Sequence, residues 1–402
     1  MSKHKNEKPQ YEQVLARIGL TRRMAPSKFS KRIVQQFGAV GAALISHVDK
    51  RAQGDCESDF WEKKNADLSL SLAFSSQFFG DFYRSYLPWL LSLLEQKRVT
   101  QILDLGCDNG VLACCYAMCI PDVQVLGIDQ GPAGIKCSSE LAERLQLKNV
   151  VFKKVDISEL GNALSGKTFD LVTATLVYHC VKAVPNMPTG FSLRDVELPD
   201  TAPWSRILES ISPLLSEGGL FLSAERLTST QGVLWWARAL NEANLKVEWP
   251  LSRQLDERAD GEVNRVPAFV CVRGRTMPAD LADHVLTFVA HPDLVKLAGS
   301  PLYGDAAEAL FEAFQSRELI WGQQVRAADD VTLRFELWDA RTVILAYQFS
   351  NAGYRRLVIA PRDKDKECIH DVKNAWQGQY SRKIFEYSSI QERDSKSGLI
   401  GL

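Results

Sequence analysis

Ile102-Leu103-Asp104-Leu105-Gly106-Cys107-Asp108-Asn109-Gly110 decides the fold of this chain. A short apolar run reads as a buried strand, glycines bracket a tight turn, and a helical stretch follows at once. The alternation repeats downstream, with β-type runs at 123–129, 150–155 and 169–174, each trailed by helix-like sequence. Strands alternating with helices imply right-handed βαβ units and a parallel sheet. A helix through Ile207, Leu208, Ile211, Leu214 and Leu215 stops at Gly218-Gly219, and 220–224 reads as the fifth strand. Another helix carries Trp235, Trp236, Ala239 and Leu240, runs at 247–249 and 268–272 close the sheet, and polar residues 256–265 read as an edge loop. The expectation is an α/β domain over 97–275, with a mostly parallel seven-stranded sheet and helices on both faces.

Upstream, Phe78, Phe79, Phe82, Tyr86, Leu87, Leu90, Leu91 and Leu94 recur at helical spacing, which predicts a buried helical lead-in over 60–96. Residues 1–59 read as a basic N-terminal extension. Positions 1–53 hold eleven Lys/Arg against Glu7, Glu12 and Asp49, a net of +8 that leaves −9 for the rest. A solvated, partly disordered extension with one amphipathic helix is expected, the functional alternative being an arm for nucleic acid or another polyanion. Beyond Met277-Pro278, two helical stretches (279–297 and 306–314) precede β-type runs at 331–337, 342–349 and 354–359. Tight polar links join these runs, so 276–402 is predicted as an accessory α+β domain with an antiparallel meander.

Composition narrows the class. With 402 residues, 46% of them hydrophobic and 24% charged, the chain is neither collagenous nor of low complexity. No apolar run approaches the ~20 residues of a membrane helix, and Lys3, His4, Lys5 and Lys8 precede no signal-peptide core, so a cytoplasmic location is expected. Nine cysteines without zinc-ribbon spacing fit a reducing compartment. Cys107, Cys114, Cys115 and Cys119 read as core residues, and no metal site is expected.

A glycine turn between strand and helix brings backbone N–H groups to a ligand at the carboxyl edge of the sheet, which implies a nucleotide-like cofactor. A dinucleotide fingerprint would place Gly at 106, 108 and 111, but this chain has Gly106, Asp108 and Val111. A pyrophosphate would meet a carboxylate there at considerable cost unless paired, so an uncharged or cationic ligand is preferred over NAD. Asp129 ends the second strand nineteen residues after Gly110, where a carboxylate can accept both ribose hydroxyls of an adenosine. Asp156 ends the third strand, in reach of an adenine amino group.

With three acids at consecutive strand ends, the chain resembles the class I S-adenosylmethionine-dependent methyltransferases, a Rossmann-like family, over about residues 97–275. The resemblance implies that the loop from Asp104 through Gly106, Cys107 and Asp108 to Gly110 lies under the methionine part of S-adenosylmethionine. It implies that Asp129 binds the ribose and Asp156 the adenine, with Gln130, Ile157 and Thr175 counted among the cofactor contacts. The stretch from Phe169 to His179 is similar to the family's fourth strand and the segment leading to substrate, and Gly218-Gly219-Leu220-Phe221 resembles the turn into the fifth. Asp108 departs from the glycine usual in the family. Asp tolerates left-handed backbone angles, and its carboxylate is expected near the cofactor's ammonium or sulfonium charge, or on neighbouring loop N–H groups.

The implied reaction is in-line displacement of a methyl group from a sulfonium by an N, O, S or C nucleophile, which needs positioning more than a covalent residue. A hydroxyl acceptor also needs a base, for which His179 is the candidate, with Tyr178 beside it. Glu225, closing the fifth strand, and Trp235 are candidate substrate contacts. Of the adjacent Trp235 and Trp236, one is expected in the core and the other at a pocket wall or interface. No Asn-Pro-Pro-Tyr, Asp-Pro-Pro-Tyr or Pro-Cys follows the fourth strand, which argues against those kinds of base methylation. A small-molecule or protein acceptor is therefore expected. The alternatives are an RNA methyltransferase steered by the basic arm and a catalytically silent methyltransferase-like binding subunit. The C-terminal domain, with 15 Lys/Arg against 18 Asp/Glu, is expected to serve substrate recognition, a lid or homodimerisation.

Overall fold

The computed structural model describes residues 9–52, 59–95, 97–120, 122–181, 185–187, 197–227, 229–259, 262–290, 301–314, 317–326, 331–340, 343–361, 370, 374 and 386–390. The chain divides into two compact units. One comprises Met1–Val184, Thr201–Arg226 and Ala239–Thr276; the other comprises Pro185–Asp200, Leu227–Arg238 and Met277–Leu402.

The first unit is built on a sheet in which β1 (Gln101–Leu105), β2 (Gln124–Asp129), β3 (Val150–Lys154), β4 (Phe169–Thr175) and β5 (Leu215–Ala224) run parallel in the order β3-β2-β1-β4-β5. Antiparallel pairs finish it: β8 (Glu262–Arg273) lies beside β5 and is flanked by β6 (Leu245–Val247) and β7 (Arg253–Ala259). The sheet thus carries eight strands, one more than the seven expected. The extra strand is β7, because residues 256–259 and 262–265 are not edge loop but paired strand residues of β7 and β8. Their alternation is hidden by a charged residue on the buried face: Leu255 and Glu257 are both buried, and Arg226 neutralises Glu257 through a forked pair at 2.6 and 3.1 Å.

The segments before the sheet form α1 (Gln10–Ile18), α2 (Pro26–Ala52), α3 (Phe60–Lys64), α4 (Leu68–Phe78) and α5 (Gly80–Leu94). Those between and after strands include α6 (Val111–Cys119), α7 (Pro132–Arg144), α8 (Leu160–Ala163), α9 (Tyr178–Val181), α10 (Ala202–Glu209) and α11 (Thr230–Glu242). The basic extension is not merely solvated. Val14, Leu15 and Ile18 of α1 enter the main core, and Phe29, Ile33 and Leu44 of α2 pack with Phe60, Leu70 and Phe74. Arg144 closes the join by donating to the Ile18 carbonyl at 2.6 Å. Arg22, Lys28, Lys31 and Arg32 face solvent instead. The expected lead-in stripe breaks at Phe79, which lies between α4 and α5; Phe82, Tyr86, Leu87, Leu90 and Leu94 of α5 are buried as the spacing predicts.

In the second unit, α12 (Pro278–Ala290) precedes an antiparallel sheet of β9 (Leu302–Tyr303), β10 (Glu318–Arg326), β11 (Thr332–Asp339), β12 (Val343–Ser350), β13 (Arg355–Pro361) and β14 (Glu386–Ile390), in the order β14-β10-β11-β12-β13-β9. The predicted β-type runs are β11 to β13, and the meander starts one strand earlier, at β10. Gly322-Gln323-Gln324 interrupts β10's apolar pattern and concealed it. Helix α13 (Gly304–Ala313) covers one sheet face, with Phe311 stacked on Tyr347 at 4.1 Å. Among the described residues, no helix is long and apolar enough to cross a membrane.

Candidate functional site

Strand order reverses between β1 and β4, and at such a switch point the flanking crossovers leave a crevice at the carboxyl ends of the strands. A cavity of about 620 Å³ lies there, lined by the ends of β1, β2 and β4 and the segment following β3. The glycine turn shapes its floor. Gly106 has φ +64°, and a Cβ on it would fall 2.6 Å from Val177 Cγ2; Gly110, at φ +76°, would meet Ser138 Cβ at the same distance. Asp108 adopts φ +48°, the left-handed backbone expected of it. The Cys107 N–H bonds the Ile128 carbonyl at 2.9 Å, tying the turn to β2.

Asp129 accepts the Gly131 N–H on Oδ1 at 2.8 Å and the Asp108 N–H on Oδ2 at 3.0 Å. Each oxygen keeps a further lone pair for a ligand hydroxyl. Burial raises this carboxyl above the ordinary value, and the two N–H bonds oppose that shift. Asp156 is bonded by the Ser158 hydroxyl at 2.7 Å and the Ser158 N–H at 2.8 Å, and both bonds hold its carboxyl below the usual range. Asp104 is fully enclosed. Burial pushes it up to about 7 even though the Thr173 hydroxyl donates to it at 2.7 Å. Gln130, Ile157, Thr175 and Cys107 also line the cavity, and burial keeps the Cys107 thiol protonated.

Of the two expectations for Asp108, the structure departs from the one that put its carboxylate on the loop. Its carboxylate is held by Lys64 Nζ at 2.6 Å and by Asn65 Nδ2 at 2.6 Å rather than by loop N–H groups. Lys64 is 1% exposed, and a buried ammonium requires such a partner. Ser71 extends the network, donating to Asn65 Oδ1 at 2.6 Å and accepting from Lys64 at 3.3 Å and from Asn109 Nδ2 at 2.7 Å. The turn is thereby fastened to α3 and α4.

The other candidates fare unevenly. Glu225 is not among the residues lining this cavity: its Oε1 accepts the N–H groups of Val177 at 2.9 Å and Tyr178 at 3.0 Å, fixing the segment after β4. Tyr178 is buried, its ring edge-on to Trp204 at 6.4 Å, and burial drives its phenol far above the ordinary value, so it is not positioned as an acid or base. Trp235 and Trp236 are both buried in the second unit, which removes Trp235 as a substrate contact. Rings 6.0 Å apart allow both to pack inward although they are sequence neighbours. His179 lies on α9, between cavity-lining Val177 and Val181; its side chain is outside the described residues.

The lead-in helices supply a wall that sequence reasoning missed. Trp61, Glu62, Asn65, Phe79 and Tyr83 all line the cavity, and Glu62 Oε2 accepts the Ala133 N–H at 3.3 Å at the start of α7. One signal was available: a carboxylate in a glycine position calls for a cation, although the polar run Glu62-Lys63-Lys64-Asn65 does not itself mark Lys64 as that partner.

Residues 96–254 match the family model described as a methyltransferase domain. This region is thus similar to a methyltransferase domain. The curated ubiquinone biosynthesis O-methyltransferase of Acinetobacter baylyi is 30% identical over 93 residues, 23% of this chain and 35% of that protein. The release factor glutamine methyltransferase of Salmonella typhimurium is 28% identical over 131 residues, 31% of this chain and 46% of that one. The chain thus spans less than half the length of these curated relatives. Among solved structures, the magnesium protoporphyrin IX methyltransferase of Synechocystis PCC 6803, with S-adenosylmethionine bound, is 13% identical with a TM-score of 0.35, covering 62% of this chain and 97% of that one. In the first unit Asp104, Asp129 and Asp156 line one cavity.

Proposed function

We propose that the chain binds S-adenosylmethionine in the cavity at the β1/β4 switch point and transfers its methyl group in-line to a small-molecule or protein nucleophile. The observation that carries this reading is the convergence of Asp104, Asp129 and Asp156 on a cavity floored by a turn too tight for a Cβ at Gly106. The donor set fits the cofactor. Asp129 has lone pairs free for the ribose hydroxyls, Asp156 is an ionised acceptor for the adenine amino group, and Asp104 provides a carboxyl for the cationic end. When bound, the cofactor supplies the electrophilic methyl group. The chain's own residues orient the reactants and exclude water, and the segment held by Glu225 forms the acceptor side.

Phe79, Tyr83, Val177 and Val181 give the cavity apolar and aromatic surface, which suits a small organic acceptor or an inserted side chain. For a hydroxyl acceptor, His179 is the base we assign. The deciding experiment incubates the full chain with methyl-labelled cofactor and cell extract fractionated into small molecules, RNA and protein. Label in the small-molecule or protein fraction supports the reading. Label in RNA moves the assignment to a polyanionic substrate, a reading that the exposed cations of α1 and α2 favour. Binding of the cofactor without transfer to any fraction points to a silent binding subunit.

A further inference from the structure

Building on the reading that the cavity takes S-adenosylmethionine, we propose that the Lys64–Asp108 pair sets how strongly the site prefers the cationic cofactor over its neutral demethylated product. The cofactor carries a sulfonium, an ammonium and a carboxylate, a net of about +1. S-adenosylhomocysteine has a thioether in place of the sulfonium and is close to neutral. Any uncompensated charge in the wall therefore acts on the difference between the two ligands.

Five carboxylates line the cavity among the described residues (Glu62, Asp104, Asp108, Asp129 and Asp156), and no Lys or Arg does. Lys64 stands directly behind this wall. Its side chain is 1% exposed against 25% for Asp108, and the two meet at 2.6 Å. Its charge is also felt at Asp129, where it opposes the rise that burial imposes. A buried pair presents the ligand with a short dipole rather than with a full negative charge. Lys64 thus moderates an acidic wall that would otherwise favour the sulfonium form much more, and it keeps the neutral product competitive for the site. Product inhibition is the functional consequence. Lys64 acts through Asp108 and is a positioning residue, since it does not itself line the cavity.

The test is calorimetry on the full chain with S-adenosylmethionine and S-adenosylhomocysteine, wild type against Lys64→Met, Asp108→Asn and the double variant. Lys64→Met leaves Asp108 uncompensated, and the ratio of product Kd to cofactor Kd should rise about three- to tenfold. Asp108→Asn leaves Lys64 uncompensated, and the ratio should fall by a similar factor; the double variant should return close to wild type. Loosened packing weakens both ligands together and leaves the ratio unmoved, so opposite movements separate charge from structure. Should Lys64→Met fail to fold, the direction of change in Asp108→Asn decides. Wild-type binding of both ligands with an unchanged ratio in every folded variant overturns this inference and leaves the proposed function standing. A wild type that binds neither ligand overturns both.

Discussion

Glu225 Oε1 accepts the Tyr178 N–H at 3.0 Å, so one carboxylate at the end of β5 fixes the backbone that follows β4. The same oxygen takes the Val177 N–H, and the preceding Leu176 sits at φ +58°, with its own N–H on the Ala224 carbonyl at 2.8 Å. A side chain with a β-carbon held in the left-handed region persists only when its surroundings over-determine it. Glu225→Leu should cost about 1–3 kcal/mol of stability by stranding two buried N–H groups. It should also speed amide exchange at 177 and 178 specifically. Unchanged exchange at those two amides would count against this role.

Asp129→Ala should weaken S-adenosylmethionine and S-adenosylhomocysteine alike, by about 1.5–3 kcal/mol, because charge-assisted bonds to the ribose are lost. Titration calorimetry with both ligands checks it, and retained affinity sinks the ribose assignment.

Gly106→Ala should abolish cofactor binding and lower thermal stability, since the new Cβ lands 2.6 Å from Val177 Cγ2 at a φ of +64°. Adding Val177→Ala should recover part of the stability, the clash being relieved and the backbone strain remaining. Equal melting temperatures for the single and double variants would refute the contact.

Asp104 predicts two opposite pH slopes. Its folded value of about 7 lies above its ordinary 3.8, so the folded protein keeps a proton that the unfolded chain releases. The associated stability is complete below the lower value and is lost as pH rises through about 7. Over the upper part of the same interval a negative charge develops beside the cavity, and affinity for the cationic cofactor should increase between about pH 6 and pH 8. Asp104→Asn should flatten both profiles in thermal melts and calorimetry.

If RNA is the acceptor, reversing the exposed Lys28, Lys31 and Arg32 to Glu should reduce transfer and flatten its salt dependence. Charge reversal is a cleaner test than removing the extension, which would also strip Val14, Leu15 and Ile18 from the main core. Equal salt slopes for both proteins would exclude steering by this face.

What the sequence disclosed follows the range of the forces involved. Asp104, Asp129 and Asp156 are fixed by their place at strand ends, and strand ends are written locally in apolar runs and glycine turns. The left-handed backbone of Asp108 was legible for the same reason. Its bond to Lys64 was not, because that bond joins residues 44 positions apart through the packing of separate helices. Glu225 was found but given the wrong partner: its position at the edge of the sheet is local information, whereas the direction of its carboxylate depends on how the segment 176–178 comes back across it. Trp235 failed in the same way, since burial of both faces of a helix is decided by what surrounds it and not by its own periodicity.

The wall made by Trp61, Glu62, Asn65, Phe79 and Tyr83 comes entirely from sequence that precedes the stretch matching the methyltransferase-domain family, which begins at residue 96. The portion that matches the family and the portion that completes the cavity wall are therefore different lengths of chain. Grafting only the shared stretch into a relative would transplant a floor and leave behind one side. Two proteins alike throughout that stretch are free to differ in what they admit, because the side chains of this wall lie outside the strands.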